Sequence, residues 1–193
     1  MVIGVLGGSF CPPTIAHIDL AKACIEQGLC EKVIFVPVND SYPKSTNIPA
    51  HHRIKMLELA IRTETKIDCS LHEVAKEGFV STFGSLSELQ TLYPNDQLLF
   101  IAGADKMQFR WFQSEKMLSK FGYIVCARDD FDCEEIINKS PSLSKYRNKI
   151  KIVKYSSEIS STLVRNEIKQ FKYSRLVCPD VMQYIKKHNL YLS

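Results

Sequence analysis

The 193-residue sequence lacks the marks of several large protein classes. Its longest apolar runs, residues 33–38 and 98–102, fall far short of the roughly 18 residues a membrane span needs. Residues 1–6 carry no basic segment and run straight into Gly7-Gly8, so no secretory leader is expected. No internal repeat or low-complexity segment occurs. The seven cysteines are an odd number and no two have C-x-x-C spacing, which removes a zinc ribbon and a dithiol redox pair. They read as free, buried thiols of a cytoplasmic protein. Neither G-x-G-x-x-G nor G-x-x-x-x-G-K-[ST] is present, so a dinucleotide oxidoreductase and a Walker-type NTPase both lose support. The net charge of +4 comes without a basic stripe. A nucleic-acid partner is therefore not expected, and a site for small anions is.

What is present is ordinary. Hydrophobic residues make up 45% and charged residues 24%, the composition of a soluble globular domain. A disordered chain, a collagen-like fibre and a coiled coil are excluded. The length suits a single domain spanning 1–193, with 156–193 as a C-terminal helical part.

Apolar, β-branched runs at 1–6, 33–38, 98–102, 123–127 and 150–155 read as strands, with a short one at 66–70. Between and after them lie helical patterns at 15–27, 49–63, 85–93, 114–121, 160–171 and 179–189. Ile54, Leu57 and Ile61 share one side of the second helix; Ile159, Leu163 and Ile168 lie near one side of the fifth. This alternation predicts an α/β fold, a doubly wound parallel sheet with helices on both faces. The polar stretches 39–47 and 129–148 read as insertions. Ligands of such sheets bind beyond the carboxyl ends of the strands.

Two segments fall at such places. The first runs from Gly7 and Gly8 through Ser9, Phe10, Cys11, Pro12 and Pro13 to Thr14 and His17. Its glycines let backbone approach a ligand closely, and it feeds a helix start that favours phosphate. Thr14 reads as the N-cap. Taken alone, a glycine turn with a capping histidine explains it equally well. The second is Ile159-Ser160-Ser161-Thr162-Leu163-Val164-Arg165. Three hydroxyls at a helix start can cap it or donate to phosphate, and the guanidinium suits bidentate phosphate binding. Taken alone, this is a capped helix with a surface arginine.

Together, G-S-F-x-P-x-T-x-x-H and I-S-S-T-x-x-R resemble the nucleotidyltransferase superfamily with the (T/H)-x-x-H signature. More narrowly, the chain is similar to nicotinate/nicotinamide mononucleotide adenylyltransferases. Val36-Pro37, Lys44, Arg53, Met56 and Ala60 match that family's P…K…R…M…A stretch, and Gly103-Ala104-Asp105 with Trp111 its G-[AM]-D…W block. Val125 to Arg128 resembles its V-x-x-R strand end, and residues 177–192 its closing V-x-x-Y-I…L-Y helix. Cys11 stands where Asp or Asn is common, which removes the polar contact expected there. Thr14 replaces the first histidine of many members. Ser81-Thr82-Phe83-Gly84-Ser85 departs from the loop that seats the pyridine ring, and Ser41-Tyr42-Pro43-Lys44 varies the usual P-P-H-K.

The resemblance implies a Rossmann-like nucleotidyltransferase fold and adenylyl transfer from ATP to a pyridine mononucleotide, with Mg²⁺ as cofactor. It assigns catalysis to His17, Lys44 and Arg165. It gives ATP Gly8, Ser9, Phe10, Thr14, Gly103, Asp105, Ser160, Ser161 and Thr162, and the mononucleotide Ser9, Phe10, Lys44, Thr82, Trp111 and Arg128. No metal-ligating residue is assigned. His51, His52, His72 and His188 have no partner at metal-ligand spacing and read as solvated. No membrane partner is expected, and a homo-oligomer is compatible with the sequence. The rival activities are phosphopantetheine adenylyltransferase, a cytidylyltransferase, or non-catalytic nucleotide binding on the same fold.

Overall fold

A computed structural model describes residues 1–42, 48–127 and 132–192. Strands β1 (Val2–Gly8), β2 (Lys32–Pro37), β3 (Ile67–Cys69), β4 (Gln97–Gly103), β5 (Tyr123–Ala127) and β6 (Ile150–Lys154) form one sheet in the order β3-β2-β1-β4-β5-β6. This is the doubly wound order, with its reversal between β1 and β4. The β1–β4, β4–β5 and β5–β6 pairs are parallel, and Phe100 lies opposite both Val5 and Tyr123. The inner strands are apolar throughout because both faces are covered: Ile3, Val33, Phe35, Leu99 and Ile124 are all fully buried. Gly122, just before β5, has φ 101°. A Cβ there would lie 2.5 Å from the Lys149 carbonyl, so only glycine fits this turn.

The helices are α1 (Ile15–Glu26), α2 (Ala50–Ile61), α3 (Thr82–Leu92), α4 (Glu115–Lys120), α5 (Cys133–Lys139), α6 (Pro141–Lys145), α7 (Ser161–Phe171) and α8 (Pro179–Lys187). Three departures from expectation have local causes. Helix α3 begins at Thr82, three residues early, because Ser81 caps it by accepting from the Gly84 amide. The stretch 129–148, expected as an insertion, holds α5 and α6. These are capped by Asp132 and Ser140 and anchored by buried Cys133, Ile137 and Leu143. On α7, Leu163 is 40% exposed and Val164 is buried in its place, four residues before Ile168.

The chain forms two compact units. One comprises Met1–Gly7, Leu20–Ile34 and Ser81–Ser156; the other comprises Gly8–Asp19, Phe35–Val80 and Ser157–Ser193. In the second, α2, α7 and α8 pack through Met56, Val164, Ile168, Val181 and Ile185. Pro179 opens α8, Asp180 lies in its first turn and Lys186 and Lys187 in its last, matching the helix dipole. All seven cysteines are free; Cys69 and Cys178 are only half-buried. Among the described residues no helix is long and apolar enough to cross a membrane.

Candidate active site

The turn after β1 is built around Phe10. Its φ of 47° is a left-handed conformation that non-glycine residues adopt only when the surroundings demand it. The demand is aromatic. The ring stacks on Phe35 at 5.2 Å and meets the His17 ring edge-on at 5.2 Å. Gly8 has no side chain to block that ring; a Cβ would sit 3.3 Å from it.

The carbonyls of this turn are tied down one after another. Ser9 O accepts from Arg53 Nη1 (3.0 Å), Cys11 O from Arg165 Nη1 (2.7 Å) and Pro12 O from Ser161 Oγ (2.8 Å). With these carbonyls held, the turn has the form of loops that can aim backbone N–H groups at an anion. The helix start at 159–165 thus does come together with the glycine turn, partly in an unexpected role. Ser160 caps α7 by accepting from the Leu163 amide (3.1 Å), and Thr162 accepts from Arg165 Nη2 (3.0 Å). Ser161 and Arg165 brace backbone.

Thr14 precedes α1 as expected, but the histidine caps the threonine. His17 Nδ1 accepts from the Thr14 amide (3.0 Å) and lies 2.8 Å from its hydroxyl. With Nδ1 accepting, the proton of the neutral ring sits on Nε2. Burial lowers the imidazole from its ordinary 6.5 to about 4, outweighing a smaller opposing contribution from the Thr14 backbone. His17 is thus an uncharged Nε2–H donor at neutral pH, with its orientation fixed by Thr14.

Arg53 is 2% exposed and fully engaged. Besides Ser9 O, it donates to Val38 O (2.8 Å), Ile48 O (3.2 Å) and Asp40 Oδ1 (2.8 Å). Asp40 also accepts from the Ala50 amide (3.1 Å) and so caps α2, whose N-cap Pro49 has no side-chain acceptor. Burial alone would raise the Asp40 carboxyl; its bonds to Arg53 and Ala50 outweigh this and hold it below its ordinary value. These residues explain why the buried side of α2 is Arg53, Met56 and Leu57 rather than the predicted Ile54, Leu57 and Ile61. The available signal was an arginine three and four residues before Met56 and Leu57, on an apolar face.

In the other unit, the Phe100 ring lies against Gly7, 3.3 Å from where a Cβ would be. Trp111 meets Phe100 edge-on at 6.3 Å and is 39% exposed, so it is not simply a core residue. Gly103 ends β4, and the Asp105 carboxylate folds over its bare Cα while pairing with Lys106 at 2.7 Å. Thr82 lies in the first turn of α3. Lys44 and Arg128 lie outside the described residues.

Three expectations need correction. Cys11 does make a polar contact: its Sγ lies 3.0 Å from the Tyr191 hydroxyl. His52 is not simply solvated, since its Nδ1 lies 2.9 Å from the Tyr184 hydroxyl and its ring 5.2 Å from that of His188. His72 Nδ1 likewise lies 2.9 Å from the Ser70 hydroxyl.

Comparison with known proteins gives a consistent picture. The sequence profile of the cytidylyltransferase-like family matches residues 5–167. The chain is 32% identical to the nicotinate-nucleotide adenylyltransferase of Bacillus subtilis, over 99% of this chain and 98% of that protein. It is 34% identical to a Carboxydothermus hydrogenoformans protein named "Probable nicotinate-nucleotide adenylyltransferase", over 98% of this chain and 97% of that one. Its fold is similar to that of Plasmodium falciparum nicotinic acid mononucleotide adenylyltransferase complexed with NaAD. That match has a TM-score of 0.73 at 24% identity and covers 98% and 96% of the two chains.

The state of His17 can be measured directly. In an NMR pH titration its ring resonances should stay unchanged from pH 8 to pH 5 and shift only near pH 4. The unfolded chain takes up this proton near 6.5, so the stability His17 contributes is full above that pH and is lost as pH falls towards 4. A titration midpoint near 6.5 would contradict the assignment.

Proposed function

The chain belongs to the cytidylyltransferase-like family, within which its relatives are nicotinate-nucleotide adenylyltransferases, and we propose that it adenylylates nicotinate mononucleotide. In this reading an oxygen of the mononucleotide 5′-phosphate attacks the α-phosphorus of ATP. The bond from that phosphorus to the bridging oxygen breaks, and pyrophosphate leaves. The product is the dinucleotide used in NAD biosynthesis.

One observation carries the reading. The glycine turn has three carbonyls bound by Arg53, Arg165 and Ser161, beside an imidazole whose Nδ1 accepts from Thr14 and whose Nε2 is left to donate. A phosphate nucleophile is already ionised near neutral pH, so it needs no general base. Catalysis then rests on positioning and on donors for developing charge. A histidine held neutral by burial suits that task, since it can donate from Nε2 without having to be protonated first.

The Ser9 and Phe10 amides would hold phosphate, and His17 would donate to an α-phosphate oxygen. Lys44, the Thr162 hydroxyl and the Arg165 N–H groups not used on Cys11 and Thr162 would face the β- and γ-phosphates, while the Ser161 hydroxyl proton stays on Pro12 O. Gly103 and Asp105 would meet the adenylate ribose, and the exposed Trp111 ring would stack on the pyridine, with Thr82 and Arg128 assigned to the same substrate. Mg²⁺ would enter with ATP and offset phosphate charge. Among the described residues no three His, Cys, Asp or Glu side chains converge on a metal position. The seven free thiols fit a cytoplasmic setting.

The deciding assay supplies Mg-ATP with nicotinate mononucleotide or nicotinamide mononucleotide and follows pyrophosphate. Release with a higher kcat/KM for nicotinate mononucleotide is expected. No release with either would overturn the proposal. In the same assay His17→Ala should lower turnover by about 10²–10³, the usual loss for one donor to developing oxyanion charge. Turnover near that of the native protein would remove His17 from the chemistry.

A further inference from the structure

We propose that Tyr191, in the last turn of the chain, is a positioning residue for adenylyl transfer, its hydroxyl holding the glycine turn in shape through Cys11. The inference rests on the glycine turn being the phosphate site.

Cys11 is fully buried and its thiol lies 3.0 Å from the Tyr191 hydroxyl. Arg53, Arg165 and Ser161 grip the turn by its backbone carbonyls. The contact with Tyr191 holds the Cys11 side chain. The phenol also lies within electrostatic reach of Arg53 and Arg165, the two cations that brace the turn. Burial raises its pKa, so the phenol keeps its proton, and either the hydroxyl or the thiol can donate in the contact.

The tail is built to deliver this hydroxyl. Asn189 and Tyr191 both have left-handed backbones, with φ of 52° and 61°. Non-glycine residues hold such conformations where surrounding contacts over-determine them. Those contacts are present. Leu190 is buried beside Val181, Met182 and Ile185, its amide donates to Ile185 O (3.0 Å), and Lys172 Nζ donates to Leu192 O (2.8 Å). Leu190 and Lys172 anchor the tail without the phenol's oxygen, so that oxygen is left for the turn. The resemblance makes Asp or Asn a common residue at position 11. Here a thiol and a distant phenol form a neutral pair in the same place.

The test is a double-mutant cycle of Tyr191→Phe and Cys11→Ala, with Cys11→Ser as the conservative variant. Both kcat/KM and Mg-ATP affinity are measured well below the melting temperature. Tyr191→Phe keeps the ring and removes only the hydroxyl. Each single change should lower kcat/KM by about 3–10-fold, the worth of one hydrogen bond. The double variant should be no worse than the weaker single, because both changes break the same contact. Cys11→Ser should stay near native. A purely structural tyrosine would lower the melting temperature and leave kcat/KM and ATP affinity unchanged, and that result would overturn the proposal. So would two effects that multiply. If Tyr191→Phe does not fold, the two Cys11 variants decide: loss in Cys11→Ala with retention in Cys11→Ser supports the proposal, and native behaviour in both refutes it. A native protein that binds Mg-ATP but releases no pyrophosphate would strike the adenylyl-transfer reading alone, and ATP affinity across the set would still test the hydrogen bond.

Discussion

A single buried guanidinium holds together the parts of the chain that face phosphate in the proposed mechanism. Arg53 is 2% exposed and meets four acceptors: the carbonyls of Ser9, Val38 and Ile48, and the Asp40 carboxylate. Those acceptors lie at the glycine turn, the end of β2, the following loop and the approach to α2. An unpartnered charge at such depth is costly, and here three neutral carbonyls and the more exposed Asp40 carboxylate partner it. The four acceptors are therefore bound to one another through the arginine. Asp40 extends the link by capping α2 itself.

This bracing has a chemical consequence. Holding the carbonyls of a tight turn fixes its peptide planes and so the directions in which its N–H groups can meet an anion. Arg53, Arg165 and Ser161 satisfy three of those carbonyls from behind. In the proposed mechanism the turn would add neutral donors to those cations, among them the Nε2–H of a histidine that burial keeps uncharged. Such a site stabilises charge by geometry rather than by moving protons, as the transfer of a group between phosphates requires.

The sheet and the two segments that come together at the glycine turn were legible in the sequence, because β-branched runs, glycine turns and hydroxyl-rich helix starts are local signals. The geometry that makes them a site was less so. Ser161 and Arg165 read as groups aimed at phosphate, yet they donate to Pro12 and Cys11, about 150 residues earlier. The contact between Cys11 and Tyr191 spans 180 residues, so no spacing rule could find it. Asp40 caps a helix from ten residues away, outside the usual N-cap position. Helices α5 and α6 were hidden because each buries only one or two side chains, too few to leave a periodic pattern. The burial of Arg53 was missed as well, since the expected face was Ile54, Leu57 and Ile61, although Met56 and Leu57 three and four residues on offered a signal.

The central claim is that Arg53 shapes the phosphate site without touching substrate, and Mg-ATP affinity of Arg53→Lys tests it most directly. Lysine keeps the charge but lacks the planar fork that reaches several acceptors at once. With the variant shown to be folded by circular dichroism, ATP affinity should fall about tenfold or more, the equivalent of roughly 1.4 kcal/mol. A folded variant with reduced melting temperature and native ATP affinity would contradict the account.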